Sequence, residues 1–280
     1  MNSRIGIIGA GNMGEAIAGA LIRSGSATAE EVTLADVDGN RLAHLKTVYG
    51  VSTTHENAEL FSKSRVVVLS VKPQVMNPVL KDLTGHPEYR IEDRKLVISI
   101  AAGIRIRQLE EWLYAPLDET MRTHLPIVRV MPNTPALVLE GMAGMSPNRF
   151  ATNEDMQQAR RIFEAMGEVI EFEENQMDAV TAMSGSGPAY LFYLAEAMIE
   201  AGLRMGFTEE ESTGLTLGTL KGAVQLMEDR DDPPESLRQK ATSPGGTTAA
   251  AITVLDDRRV RQHIVDAILA ARQRSRELST

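Results

Sequence analysis

The chain has 280 residues, 43% of them hydrophobic, which is enough to build the core of one large domain or two ordinary ones. Its formal net charge of −9 disfavours a nucleic acid or a membrane surface as a partner. Because the chain has no cysteine, disulfides, thiolate nucleophiles and cysteine metal sites are excluded, and no apolar run reaches the roughly 20 residues that cross a bilayer. We therefore expect a cytoplasmic protein.

The first part of the chain alternates short apolar runs with helical patterns. The runs predict strands at residues 5–8, 32–35, 66–71, 96–100 and 127–131, and a last strand at 169–172. This alternation is typical of an α/β fold, a Rossmann-like doubly wound parallel sheet that binds ligands at the carboxyl ends of its strands. We expect this domain to occupy residues 1–172.

A glycine loop, Gly9-Ala-Gly-Asn-Met-Gly14, follows the first predicted strand and precedes a helix. That context is typical of a dinucleotide-binding loop. Gly9 would permit the tight turn, Gly11 would let the backbone approach a pyrophosphate, and Gly14 would let the helix pack on the sheet. We predict that the loop, with Asn12 and Met13, binds a nicotinamide dinucleotide.

Asp36 ends the second predicted strand, where an acidic side chain accepts hydrogen bonds from the adenosine ribose and repels a 2′-phosphate. Arg41 would offset this repulsion if it folded back, but we expect the following helix to carry it into solvent. The sequence therefore predicts that NADH serves at least as well as NADPH.

Three further junctions fall at carboxyl ends of predicted strands and are expected at the cofactor crevice. They contain Ser70, Val71, Lys72 and Pro73, then Ala101, Ala102 and Gly103, and then Met131 to Pro135 with Asn133 and Thr134. Lys72 has a plainer interpretation as a solvated loop lysine, and Asn133 with Thr134 as a proline-flanked turn.

From about Asn175 the pattern is only helical, which predicts an all-α domain at residues 173–280. Helix starts are indicated by Ser186-Gly-Pro188, by the capping box of Thr208 and Glu211, and by Gly245-Gly246. Segments 189–201 and 215–227 are richer in small and apolar residues than a lone surface helix needs. An ordinary core would explain them, but for so short a domain we favour a homodimer interface.

The segment Ser243-Pro-Gly-Gly-Thr-Thr248 opens an alanine-rich helix. Pro244 and the two glycines let the backbone turn sharply and leave free amides at the helix start. A small carboxylate can approach these amides and the positive end of the helix dipole, and Thr247 and Thr248 place hydroxyls beside it. The alternative is a capped helix after a surface loop.

A resemblance to a known family is carried by several motifs in this order. They are the glycine loop, the junctions at Val71 and Met131, the segment Met183-Ser-Gly-Ser-Gly-Pro-Ala-Tyr190, and Ser243–Thr248. Over essentially its whole length the chain is similar to pyrroline-5-carboxylate reductases, of which the last two motifs are distinctive. The resemblance implies NAD(P)H-dependent reduction of 1-pyrroline-5-carboxylate to L-proline. It also implies active sites completed across a dimer of interlocked helical domains, and five dimers in some members.

The same resemblance implies residue roles. Thr248 would present its hydroxyl to the substrate's ring nitrogen, while Ser243, Gly245, Gly246 and Thr247, with Ser186 from the other motif, would bind the substrate. Asn133 and Thr134 would line the nicotinamide pocket, and Asn57 would lie near the adenosine ribose unless it caps a helix. Relatives that favour NADPH usually carry Ser, Thr or Asn near position 36, so Asp36 departs from that pattern.

Two other functions stay open. A 3-hydroxyacid dehydrogenase of similar build would need a lysine on its first interdomain helix, and the stretch Asp178–Glu200 has none. A nicotinamide-binding regulator without turnover belongs to a different class, and the presence of Thr248 and both glycines weighs weakly against it. The five histidines lack metal-ligand spacing, so no metal is expected.

Overall fold

The computed structural model describes residues 4–278. Its strands are β1 (Ile5–Ile8), β2 (Val32–Ala35), β3 (Ser52–Thr54), β4 (Val66–Leu69), β5 (Leu96–Ser99), β6 (Ile127–Met131), β7 (Gly141–Pro147) and β8 (Gly167–Glu171). Its α-helices are α1 (Asn12–Arg23), α2 (Gly39–Tyr49), α3 (Asn57–Lys63), α4 (Pro73–Gly85), α5 (Ile106–Leu113), α6 (Glu119–Thr123), α7 (Asn153–Glu164), α8 (Met177–Val180), α9 (Gly187–Arg204), α10 (Glu209–Asp229), α11 (Pro234–Lys240), α12 (Thr247–Asp257) and α13 (Val260–Leu278).

The strands form one sheet in the order β3-β2-β1-β4-β5-β6-β7-β8. The reversal of strand order beside β1 is that of a doubly wound fold, which confirms the predicted class. All neighbouring strands are parallel except β6 and β7, which pair antiparallel.

Two strands were missed in the sequence, each for a physical reason. β3 is a three-residue polar edge strand, Ser-Thr-Thr, without the apolar signal of a buried strand. β7 contains Gly141 and Gly144, and glycine is normally unfavourable in a strand. Gly144 is needed there, because a Cβ atom at this position would lie 3.2 Å from the Phe172 ring and still closer to Val180.

The sheet is buried on both faces, as continuous apolar strands predict. Along β4, Val66 and Val68 belong to one hydrophobic cluster, and Val67 and Leu69 belong to another. The first cluster includes residues of α1, α2 and α7, and the second includes residues of α3, α4 and α5. The two cores hold the carboxyl ends of the strands in fixed positions.

The predicted helix starts in the second part of the chain are confirmed. α9 begins at Gly187 and α12 at Thr247. At the start of α10, the Thr208 backbone N–H donates to Glu211 Oε2 at 2.8 Å, and the Glu211 N–H donates to Thr208 Oγ1 at 3.2 Å. This is the reciprocal pair of a capping box.

Two compact units divide the chain. One runs to Ser186 and also includes the segment from Ala271 onward, and the other is Gly187–Ala270. The sequence placed a boundary at 172/173, but the residues just after it pack within the first unit. There the Ser275 hydroxyl donates to the buried carboxylate of Asp178 at 2.7 Å.

The second unit has no apolar core within one chain. Gly187–Ala270 is described throughout, yet its buried residues are only Gly202, Ser212 and Thr216. Large side chains such as Phe192 and Tyr193 are 61% and 76% exposed. An apolar surface of this extent marks an interaction site. Among residues 4–278, none of the helices combines the length and hydrophobicity that a bilayer crossing requires.

Candidate active site

Two glycines of the loop after β1 have conformations or surroundings that exclude a side chain. Gly9 has φ +100°, and a Cβ atom there would lie 2.7 Å from the Ser70 carbonyl carbon. A Cβ atom at Gly14 would penetrate the Gly9 carbonyl oxygen. The loop therefore closes tightly onto the end of β4, and α1 packs directly on the turn.

Gly11 differs, because it faces open space. It is the N-cap of α1, no side chain caps that helix, and a Cβ atom at Gly11 would meet nothing within 4 Å. The first amides of α1 have no intrahelical partner and carry the positive end of the helix dipole. Open approach, free amides and favourable dipole together fit the pyrophosphate of a dinucleotide.

Asp36 lies beside this loop, directly after β2. Its Oδ2 accepts the Ala10 N–H at 2.7 Å and its Oδ1 accepts the Asp38 N–H at 3.0 Å. His55 Nδ1 is 2.9 Å from the Asp36 carbonyl oxygen. Backbone and side chain of Asp36 are thus both held, and each carboxylate oxygen keeps a further acceptor position for a ribose hydroxyl.

Arg41 does not extend into solvent, so that expectation was wrong. Its Nε donates to the Ala10 carbonyl oxygen at 2.8 Å, and its guanidinium forms an ion pair with Glu15. The Glu15 carboxylate also accepts the Tyr49 hydroxyl at 3.2 Å. Asp38 caps α2 and places Arg41 in the first turn, on the side that faces α1. Sequence reasoning missed Glu15, for which helical position alone gave no signal.

At the end of β4, Ser70 and Lys72 have different environments. The Ser70 backbone N–H donates to Ile8 O at 2.8 Å, while its buried hydroxyl has no hydrogen-bond partner among the described residues. Lys72 is the exposed N-cap of α4, with Pro73 as the first helical residue and Val71 half-buried before it. The unsatisfied Ser70 hydroxyl next to the glycine loop is a donor available to a ligand.

After β5, the chain turns at Ala101, Ala102 and Gly103. Gly103 has φ +76°, which favours glycine. Ala101 is buried and Ala102 half-buried. A Cβ atom at Gly103 would lie 3.2 Å from Leu278 Cβ, so the terminal turn of α13 covers this glycine.

Asn133 connects three segments through its buried side chain. Its Nδ2 donates to the Ser184 carbonyl oxygen at 3.1 Å, and its Oδ1 accepts the Met142 N–H at 2.9 Å. The side chain therefore links the end of β6 with β7 and with the Met183–Tyr190 motif. Thr134, the next residue, is exposed.

The Met183–Tyr190 motif begins in a widened helical turn. Residues 181–185 form a π-helical turn, in which the Ser186 N–H donates to Thr181 O at 2.8 Å. A Cβ atom at Gly185 would lie 2.6 Å from Met131 Cε, so the turn lies against the end of β6. Such turns occur frequently at functional sites. Ser186 is half-buried at its end.

Asn57, predicted to lie near the ribose or to cap a helix, is the first residue of α3. The N-cap is Glu56, and no side chain caps the helix. The capping alternative for Asn57 is therefore wrong, and its half-buried side chain stays a predicted ribose contact.

The Ser243–Thr248 segment forms an open helix start in the second unit. Gly245 has φ +72°, the Gly246 N–H donates to Ser243 O at 3.0 Å, and Gly246 is the N-cap of α12. No side chain caps α12, and Thr247 and Thr248, its first two residues, are exposed. The segment thus combines free amides, positive dipole and two hydroxyls, which can bind a small carboxylate and donate to a second polar atom.

Lys95 has a clearly shifted pKa but lies away from the strand ends that form this site. Burial, and then the Arg65 cation, lower the pKa of Lys95 to about 8. Lys95 Nζ donates to Phe61 O at 2.6 Å and to Ser64 O, at the amino end of β5 rather than the ligand-binding end. No cluster of three or more His, Asp or Glu residues suited to a metal occurs in residues 4–278.

Comparisons with known proteins point to one family. A family model described as pyrroline-5-carboxylate reductase dimerisation matches residues 174–278, and one described as NADP oxidoreductase coenzyme F420-dependent matches residues 4–103. The pyrroline-5-carboxylate reductase of Synechocystis sp. is 37% identical over 278 residues, covering 99% of both chains.

Comparisons with solved structures point to the same family. A pyrroline-5-carboxylate reductase from Coxiella burnetii superimposes with a TM-score of 0.88 at 36% identity and covers 100% of both chains. A pyrroline carboxylate reductase from Plasmodium falciparum with NADP bound has a TM-score of 0.87 at 31% identity, covering 100% of this chain and 99% of that one.

Proposed function

Because the chain belongs to the pyrroline-5-carboxylate reductase family, we propose that it reduces 1-pyrroline-5-carboxylate to L-proline, the last step of proline biosynthesis. The observation that carries this assignment is the Ser243–Thr248 helix start. It offers amides for the substrate carboxylate and a hydroxyl for the ring nitrogen. Neither a 3-hydroxyacid dehydrogenase nor a silent regulator receives support from a specific observation.

The chemistry assigns each part of the site a task. A nicotinamide dinucleotide supplies the hydride when bound. As hydride adds to the C=N carbon, electrons move onto the ring nitrogen, so a hydrogen-bond donor there stabilises the transition state. Thr248 Oγ1 is that donor in our proposal, and the free amides of the turn at Ser243, Gly245, Gly246 and Thr247 hold the carboxylate, apart from the Gly246 N–H, which donates to Ser243 O. Fixing the ring in one orientation then contributes much of the rate.

For the cofactor, we propose that NADH serves at least as well as NADPH. Support comes from Asp36, whose carboxylate is fixed beside the loop by the amides of Ala10 and Asp38. A fixed carboxylate can accept from ribose hydroxyls, whereas a 2′-phosphate at the same place would meet a like charge. Contacts from Ser70, Val71, Lys72, Pro73, Ala101, Ala102, Gly103, Asn133 and Thr134 to the cofactor are part of the same proposal.

We further propose that residues 173–280 form a homodimer interface. The family model for dimerisation covers 174–278, and the second unit leaves its large apolar side chains exposed within one chain. Obligate interfaces are hydrophobic and bury roughly 2,000–5,000 Å², and α9 and α10 supply side chains of that kind. The decamer and the cytoplasmic location stay predictions.

The direct test is the initial rate of nicotinamide oxidation with 1-pyrroline-5-carboxylate, measured with NADH and with NADPH. We expect turnover with both, and NADH equal to or faster than NADPH. No turnover with either would refute the reductase assignment. Faster NADPH would refute the role given to Asp36 and leave the reaction intact.

Thr248→Ala tests the hydroxyl, with Thr253→Ala as its matched control. Thr253 lies on the same helix, is exposed, and donates its hydroxyl to Ala249 O at 3.0 Å. Loss of one donor to a developing charge lowers kcat by about 100-fold, so we expect a loss of that order in Thr248→Ala and little change in Thr253→Ala. Thr248→Ser should restore most of the rate. Equal rates in both alanine variants would exclude Thr248 as the donor.

A further inference from the structure

Ala10 of the glycine loop lies between a carboxylate and a guanidinium. Its N–H donates to Asp36 Oδ2 at 2.7 Å, and its carbonyl oxygen accepts Arg41 Nε at 2.8 Å. Ala10 therefore connects the Arg41 cation with Asp36, whose side chain faces the adenosine ribose in the proposed cofactor site. In dinucleotide-binding folds, an arginine near this position is what accommodates a 2′-phosphate.

Arg41 is not free to bind a 2′-phosphate in this way, because it forms an ion pair with Glu15. Glu15 lies in the first turn of α1, and its carboxylate pairs with Arg41 Nη2. The Tyr49 hydroxyl donates to the other Glu15 oxygen at 3.2 Å, and a Cβ atom at Gly19 would lie 3.0 Å from the Tyr49 ring. Glu15 is thus anchored from two sides by groups that pack on α1.

The ion pair between Arg41 and Glu15 is partly shielded from solvent, which strengthens its hold on the guanidinium. The side chains of Arg41 and Glu15 are 26% and 24% exposed, unlike the fully solvated pairs whose contribution is small. The guanidinium uses Nε for Ala10 and Nη2 for Glu15, so its Nε/Nη2 edge is engaged and its charge is paired with a carboxylate. A 2′-phosphate would have to displace Glu15 from that edge, or bind at the Nη1 side of a cation whose charge is already paired and whose position Glu15 fixes.

We propose that Glu15 is a specificity-determining residue, which disfavours NADPH by holding the Arg41 guanidinium against the glycine loop. This inference rests on the proposed nicotinamide cofactor and adds a second element to the Asp36 argument. NADH has no 2′-phosphate and needs no cation at this place. NADPH meets the Asp36 charge and finds the neighbouring arginine occupied.

The test uses nucleotide fragments, so that it does not depend on turnover. Binding of 2′,5′-ADP and of 5′-AMP is measured by calorimetry for the wild type, Glu15→Ala, the double variant Glu15→Ala/Arg41→Ala, and Glu111→Ala. The last removes the same charge from an exposed pair with Arg107 on α5. The quantity compared is the ratio of the two affinities, because it cancels effects on the shared adenosine.

We expect Glu15→Ala to raise the preference for 2′,5′-ADP by about tenfold, the value of one charge-assisted hydrogen bond. The double variant should return to the wild-type ratio, and Glu111→Ala should match the wild type. The gain in Glu15→Ala should weaken with added salt. Glu15→Gln keeps the side chain's size and should show a smaller gain, which covers the case in which the alanine variant folds poorly.

Three results would overturn the proposal. An unchanged ratio in Glu15→Ala and Glu15→Gln would show that Glu15 does not act on the 2′-phosphate. A gain that persists without Arg41 would show that Glu15 acts by its own charge alone. Failure of both nucleotides to bind would overturn it together with the cofactor assignment. Binding without any turnover of 1-pyrroline-5-carboxylate would instead refute only the proposed reaction.

Discussion

Gly9 and Gly11 differ in one testable respect: the fold requires a glycine at the first position, and we expect the bound cofactor to require one at the second. Gly9 has φ +100°, and a Cβ atom there would lie 2.7 Å from Ser70 C and 2.8 Å from Val71 N. Gly11 has φ −67° and ψ −169°, which any residue adopts, with nothing within 4 Å of a Cβ atom. Alanine at each position separates the two requirements.

The expected magnitudes follow from these distances. At Gly9 the neighbours are backbone atoms, so the loop must open by roughly 0.5 Å. The positive φ costs about 1–2 kcal/mol and the overpacking about 1–3 kcal/mol. A loss of about 3 kcal/mol corresponds to a Tm lower by about 6–12 °C. At Gly11, alanine should leave Tm unchanged or raise stability by about 0.4–1 kcal/mol, because it restricts the unfolded chain.

The assay is thermal unfolding without cofactor, followed by NADH titration of each variant. Gly9→Ala should lose Tm, whereas Gly11→Ala should keep Tm and bind NADH about tenfold more weakly or worse, a change of about 1.4 kcal/mol or more. The reason is that the new methyl group occupies the space through which a pyrophosphate reaches the α1 amides. A Tm loss in Gly11→Ala as large as that in Gly9→Ala, or NADH binding by Gly11→Ala like that of the wild type, would contradict this assignment.

Further predictions concern buried polar groups. Asn133→Ala leaves the Met142 N–H and the Ser184 carbonyl without their partner, so we expect a loss of about 2–3 kcal/mol in urea unfolding and a lower kcat/KM. Equal stability would contradict the linking role. Burial lowers the pKa of Lys95 to about 8, below its ordinary value near 10.5, so the unfolded chain binds more protons between these values and stability rises with pH across them. The unfolding free energy of the wild type relative to Lys95→Met should therefore increase by about 1–3 kcal/mol from pH 7 to pH 10.5, and a constant difference would refute it. Burial alone would raise the pKa of Asp155, but hydrogen bonds from Arg94 and Thr152 bring it below its ordinary range. Its stabilisation is present above that ordinary range and is lost as pH falls through the lowered value, so Asp155→Asn should cost about 1–3 kcal/mol at pH 7 and progressively less in acid. A cost that does not shrink in acid would place the effect outside the ion pair.

Much of the sheet could be predicted because its strands are buried on both faces. Short apolar runs between turn signals, such as Ile5–Ile8 with its single glycine or the four hydrophobic residues Val66–Leu69, predict buried strands. β7 was not predicted, because Gly144 is required by its contacts with Val180 and Phe172, which lie tens of residues away. Tertiary contacts of that kind leave no local periodicity.

For the site, motifs predicted where ligands would approach but not how side chains would be held. The turn at Gly9–Gly14 and the open start of α12 are local backbone features, and local sequence specifies them. Arg41, in contrast, was expected in solvent, because the helix that follows β2 was predicted to carry its side chain there. Its position depends on Glu15 from another helix and on the Ala10 carbonyl, and no spacing in the sequence brings these groups together.

The lack of an apolar core in Gly187–Ala270 affects how the protein responds to its own abundance. In the proposed homodimer, helices that cannot bury their side chains alone would gain their stability from the second chain, so mass action would govern their folding. Dilution then removes structure as well as contacts, and specific activity should fall when the protein is diluted. Tm should rise with protein concentration, and a mildly destabilising substitution in α9 or α10 should be masked in an overproducing cell and revealed in one that makes little of the enzyme.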